Sequence, residues 1–150
     1  MDMLLLFRGV ELFEGLTDEE LSRLTTICRD ARYQKGDTLT KQGQPGNELF
    51  IVREGLVEVT VGAPNANAEA PPQVVINLGA GQVVGEMALA DGGPRSATVR
   101  CITATATVNV IEREAFERLC QTKPHLGLVI YRNLAADLSF KLRHQNLLRR

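Results

Sequence analysis

The chain has 150 residues, 44% apolar and 23% charged, and its 17 Lys plus Arg against 18 Asp plus Glu leave a net charge of −1. That length supports one hydrophobic core without disulfide or metal staples and leaves no room for a second full-sized domain. The composition excludes disordered and fibrous chains, and the near-zero charge argues against a dedicated nucleic-acid or membrane binder.

Residues 1–30 read as a helical segment. The apolar run Met3 to Phe7 is too short to span a membrane, and no basic residue precedes it as a signal peptide requires. Leu12, Phe13 and Leu16 form a short apolar turn. Thr17-Asp18-Glu19-Glu20 then has the pattern of a capping box, in which the hydroxyl and the carboxylate each accept from the other residue's backbone amide. Leu21, Leu24 and Ile27 follow at helical spacing, giving one apolar stripe that covers the core.

Residues 31–111 read as β structure. Short runs rich in Val, Ile and Thr (Glu48 to Arg53, Leu56 to Val61, Val74 to Leu78, Ala97 to Ile102 and Ala106 to Ile111) are separated by glycine-bearing turns. No helix-length pattern lies between them, which favours an antiparallel sandwich or jelly roll over βαβ units. Gly62 to Pro72 lacks core-forming residues and is expected to be a long flexible hairpin loop.

Residues 113–150 close the chain with two helices. The first, Arg113 to Cys120, carries Phe116 and Leu119 on one face. Pro124 is placed as a first helical residue, and Leu126, Ile130, Leu134, Leu138 and Leu142 then recur at spacings of four, predicting a helix of about six to seven turns. Arg132, Lys141, Arg143, Arg149 and Arg150 gather on it and read as a solvated basic face.

Three widely separated cysteines (Cys28, Cys101, Cys120), with both histidines in the C-terminal region, fit neither a zinc nor an iron–sulfur site. They point to a reducing compartment, and the chain is expected to be cytoplasmic, without metal or cofactor. The same lack of clustered histidines and carboxylates argues against an enzyme, and no catalytic residue is assigned.

The informative stretch runs from Val84 to Val99. Gly85 precedes one turn of helix-forming residues, Glu86 to Ala90, whose first amides lack intrachain acceptors and so suit an anion. Arg95 follows where the chain returns toward that turn, and its planar fork suits a phosphate. A carboxylate beside a phosphate repels it, unless Glu86 faces a sugar hydroxyl while Arg95 faces the charge. That division describes a ribose-phosphate site, better suited to a singly charged cyclic phosphate than to a doubly charged mononucleotide. Ser96 adds a hydroxyl. A surface ion pair between Glu86 and Arg95 accounts for the same spacing equally well.

Gly85-Glu86-Met87-Ala88-Leu89 and Pro94-Arg95-Ser96-Ala97-Thr98-Val99 resemble the phosphate-binding cassette of the cyclic nucleotide-binding domain family. Gly43 to Val57 resembles the family's glycine-turned strands ahead of it. The resemblance covers residues 10–145. It implies one domain over residues 1–150, mainly β with flanking α-helices. Its eight-stranded antiparallel jelly roll (31–111) carries the cassette at 84–99, between N-terminal helices and a C-terminal lid helix. It implies that Glu86 binds the ribose 2′-hydroxyl and Arg95 the exocyclic phosphate oxygens. Gly85, Leu89 and the amides near Met87, Ala88 and Ala97 complete the cradle, and Ser96 adds a contact. No base-capping residue is assigned within 130–148.

Val84 stands where the family commonly has a bulky aromatic, and Ala90 where it has a larger aliphatic. Ser96, the residue after the arginine, resembles bacterial cAMP receptors rather than cGMP-selective kinase sites. The expected function is therefore a non-catalytic cAMP sensor, with cGMP as second ligand, that closes its last helix over the nucleotide. The alternative is the same fold acting without nucleotide as a protein-interaction or regulatory module, excised from a larger transporter, channel or transcription regulator. Neither nucleic acid nor membrane is expected to be bound by this chain. The effector is expected in a fused or partner domain, and self-association through the C-terminal helix.

Overall fold

The computed structural model describes residues 2–62 and 73–148, so the expected hairpin loop falls, beyond Gly62, outside the described residues, as do Arg149 and Arg150. Its helices are α1 (Met3–Arg8), α2 (Asp18–Ile27), α3 (Arg113–Thr122) and α4 (Pro124–Leu148). The eight strands between α2 and α3 are β1 (Arg29–Gln34), β2 (Thr38–Thr40), β3 (Glu48–Glu54), β4 (Val57–Val61), β5 (Gln73–Leu78), β6 (Val83–Val84), β7 (Thr98–Cys101) and β8 (Thr105–Glu112). Single-turn 3-10 helices lie at Glu11–Phe13 and Glu86–Leu89.

The strands form two four-stranded sheets, β1-β8-β3-β6 and β2-β7-β4-β5, every pairing antiparallel. This is the expected jelly roll. β3 explains how the helices attach to it, because Leu49, Phe50, Ile51 and Val52 are all buried. Phe50 and Val52 face the interior of the roll, with Val57, Val99, Val108 and Val110. Leu49 and Ile51 face the opposite way, toward Phe7, Leu24, Phe116, Leu126 and Ile130. A strand covered on both faces needs an unbroken apolar run, which is why this one does not alternate.

Three strands were not apparent as apolar runs. β1 is the polar segment Arg29-Asp30-Ala31-Arg32-Tyr33-Gln34, an edge strand paired only with β8; Ala31 and Tyr33 pack inward while most of its other residues are exposed. β2 and β6 have three and two residues, too few for a periodic pattern.

At the N-terminus, the capping box of α2 forms as expected. The Thr17 hydroxyl accepts from the Glu20 amide at 3.2 Å, and Glu20 Oε1 accepts from the Thr17 amide at 2.9 Å. The run Met3 to Phe7 lies in α1, whose Phe7 ring packs on Phe13 with centroids 5.3 Å apart.

α4 departs from its expected apolar stripe. Leu126, Ile130 and Leu134 are buried and Leu138 is partly so, but Leu142 is 58% exposed. Residues four apart on a straight helix advance about 40° beyond a full turn, so the four steps from Leu126 to Leu142 carry the stripe off the core face. Asn133 of α4 donates to the carbonyls of Leu12 and Glu14, at 2.9 and 2.8 Å, fastening the helix to the N-terminal turn. Among the described residues, no helix is long and apolar enough to cross a membrane.

Candidate ligand-binding site

β6 delivers the chain into the site. Val84 pairs with Phe50 of β3 and is buried in the roll, so the smaller side chain here still packs. Gly85 then takes the left-handed φ of +79°. The Glu86–Leu89 turn that follows is 3-10, one residue shorter than the expected helical turn. It is anchored by buried Ala88 and Leu89, with the Ala88 amide donating to the Gly85 carbonyl at 3.0 Å. That bond occupies one amide expected to be free, whereas those of Met87 and Ala97 have no intrachain acceptor among the described residues.

Arg95 is held by a segment some fifty residues earlier in the chain. Its amide donates to the Gln44 carbonyl at 2.8 Å, and its carbonyl accepts from the Gly43 amide at 2.9 Å. Its Nη1 donates to the Glu48 carbonyl at 2.8 Å, and the guanidinium lies over the Phe50 ring, 5.6 Å from the centroid. Burial lowers its pKa from the ordinary arginine value, opposed by the charge of Glu48, and a guanidinium so displaced still carries its charge at neutral pH. Two glycines make room for it. A Cβ at Gly46 would stand 1.9 Å from Arg95 Nε, and one at Gly85 would stand 2.6 Å from Nη1.

Glu86 is not paired with Arg95. Its Oε1 accepts from Lys141 Nζ of α4 at 3.1 Å, and the same nitrogen lies 3.0 Å from Asp137 Oδ2. The surface ion pair that the spacing allowed is therefore replaced by one that crosses from the turn to the last helix. Lys141, expected on a solvated basic face, is a wall of the site. Burial lowers its pKa, but the bonds to Asp137 and Glu86 more than offset this and hold it above the ordinary lysine value.

Two concavities meet at Glu86. A small one of about 50 Å³ is lined by Gly85, Glu86, Met87, Ala88, Arg95, Ser96 and Ala97, together with Thr40, Asp91, Gly93, Pro94, Val84 and Val99. A groove of about 780 Å³ opens on the other side of Glu86, between Val10 and Leu12, Ile76 and Leu78 of β5, and Asn133, Asp137 and Lys141 of α4. Seven of the eight expected site residues thus line one cavity. The eighth, Leu89, is 1% exposed and packs in the helix-side core. Sequence reasoning missed Thr40, Asp137 and Lys141. Only the spacing of Asp137 and Lys141, one helical turn apart, hinted at a pair.

Residues 31–123 match the family described as the cyclic nucleotide-binding domain. The chain is 31% identical over 113 residues to a cGMP-dependent protein kinase of Drosophila melanogaster, covering 75% of this chain and 12% of the kinase. The chain therefore spans a small part of that relative's length. Among solved structures, it is similar to the N-terminal domain of a transcriptional regulator from Streptomyces coelicolor A3(2). That likeness has a TM-score of 0.80 and 26% identity, covering 96% of this chain and 95% of that one. It is also similar to the regulatory domain of Toxoplasma gondii PKA, solved with cAMP, with a TM-score of 0.75 and 25% identity, covering 93% of this chain and 49% of that one.

Proposed function

Because the chain belongs to the cyclic nucleotide-binding domain family, we propose that it is a non-catalytic sensor for cAMP, with cGMP as the second ligand. The observation that carries the reading is the meeting of the two concavities at Glu86. About 50 Å³ holds a phosphate group but no nucleotide, whereas the neighbouring groove has the volume of an ordinary small-molecule site. Arg95 and the amides of Met87 and Ala97 take the cyclic phosphate, with Ser96 beside them. Glu86 accepts the ribose 2′-hydroxyl at the junction, and the base lies in the groove against α4.

Ligand closure of α4 follows as a population shift, since a nucleotide touching both the cassette and the helix favours the arrangement that brings them together. Residues 1–150 act as one such domain, in the cytoplasm, and the output belongs to a fused or partner effector. Self-association runs through α4, where exposed Leu128, Ala135 and Leu142 recur every seven residues with Tyr131 between, the spacing of a two-stranded seam.

Calorimetric titration with cAMP, cGMP and 5′-AMP tests the ligand. The cyclic nucleotides are expected to bind, cAMP most tightly, and Arg95→Ala to weaken binding by about 1.5–3 kcal/mol, the worth of a charge-assisted contact. Equal or absent binding of all three would overturn the reading.

A further inference from the structure

Glu86 and Lys141 are 55 residues apart in the chain, yet their contact at 3.1 Å sits at the one carboxylate, among the described residues, that borders both concavities. The Glu86 side chain is 17% exposed and that of Lys141 58%. The lysine thus reaches from solvent onto a carboxylate that is mostly covered. Its own nitrogen is steadied by Asp137, one turn earlier on α4. Arg95 meanwhile bonds the Glu48 carbonyl. Lys141 is thus committed to carboxylates, whereas Arg95 is held through Nη1 by a neutral carbonyl.

We propose that Lys141 is a positioning residue for Glu86: it holds Oε1 and so leaves Oε2 turned to accept the ribose hydroxyl. This inference rests on the ribose-phosphate reading of the site. Without Lys141, nothing on α4 would set the rotamer of the Glu86 carboxylate, and its aim at the ribose would be lost. Because Lys141 belongs to α4, the ribose contact and the helix position bias one another reciprocally. Removal of the 2′-hydroxyl therefore weakens the coupling between ligand and helix as well as the affinity.

The test compares the wild-type protein, Lys141→Met and Lys141→Arg for binding of cAMP and 2′-deoxy-cAMP. Lys141→Met is expected to reduce cAMP affinity about tenfold, the scale of one charge-assisted hydrogen bond. The affinity for 2′-deoxy-cAMP should move far less, so the ribose preference shrinks, and Lys141→Arg should restore it. A solvent-reaching side chain permits the substitution without loss of the fold, which a thermal melt verifies. Equal losses for both ligands, or no loss for either, overturn the positioning role while the site reading stands. Wild-type protein that binds neither ligand overturns the site reading itself.

Discussion

A Cβ added at Gly46 would lie 1.9 Å from Arg95 Nε and 2.3 Å from its Cζ, too close for the guanidinium to stay where it is. The obstruction is a side chain, not backbone, so Arg95 can yield by swinging away. Gly46→Ala should therefore lower cyclic-nucleotide affinity about as much as Arg95→Ala, with a change in unfolding free energy near 1 kcal/mol, the low end for overpacking. Titration together with a thermal melt checks both halves. Wild-type affinity in Gly46→Ala would show that Arg95 does not act from this position. Gly85 differs, because there the φ is +79° and a Cβ would also stand 2.9 Å from the Glu48 carbonyl oxygen. At this scale the sequence revealed Glu86 and Arg95, which lie nine positions apart in one short stretch. It did not reveal which charge faces which, because Lys141 arrives from the far end of the chain.

The first turn of α2 shows an element whose stability is tied to pH. Glu20 is 8% exposed, and its carboxylate accepts from the Thr17 amide on one oxygen and meets His125 Nδ1 of α4 at 2.8 Å on the other. Burial raises its pKa, but the bonds from Thr17 and His125 outweigh that and leave it below the ordinary carboxylate value. A folded-state pKa below the unfolded one means that ionised Glu20 stabilises the fold above the usual carboxylate range. That contribution is lost as pH falls through the depressed value. Glu20→Gln is expected to cost about 1 kcal/mol at pH 7, in line with other caps, and progressively less as the solution is acidified. Denaturant unfolding of both proteins at neutral and acidic pH measures this, and a gap independent of pH would contradict it. α2 was legible because a capping box is a four-residue pattern. β1 was not, because a polar edge strand is defined by its partner β8 rather than by its own residues.

Across the whole molecule, α4 is the element on which the other parts converge. Leu126 and Ile130 enter the helix-side core, Asn133 fastens the N-terminal turn, and the Tyr131 hydroxyl donates to the Leu89 carbonyl at 3.4 Å. Lys141 reaches Glu86. The face left over carries Leu128 at 61% exposure and Leu142 at 58%. If α4 pairs with a second copy along that face, Leu128→Glu with Leu142→Glu should convert the dimer to monomer without changing the β core. Sedimentation equilibrium of the wild type and the double variant decides it. A wild-type protein that is monomeric at high concentration would rule the seam out.

The sequence alone determined an antiparallel β architecture, the capped helix and the phosphate-cassette resemblance, and only that resemblance implied a jelly roll. Each is written in short-range patterns: glycine turns between apolar runs, a four-residue cap, and one fifteen-residue stretch from Gly85 to Val99. Tertiary structure alone decided the partners of the charged groups. Arg95 rests on the Gly43–Glu48 segment and Glu86 on α4 because the sheets and the last helix bring together residues about fifty positions apart. It also decided that Leu142 leaves the core, since a spacing of four keeps to one face of a helix only for a few turns. Local pattern specifies which elements form, whereas the charge balance of a site depends on which elements the packing brings to it.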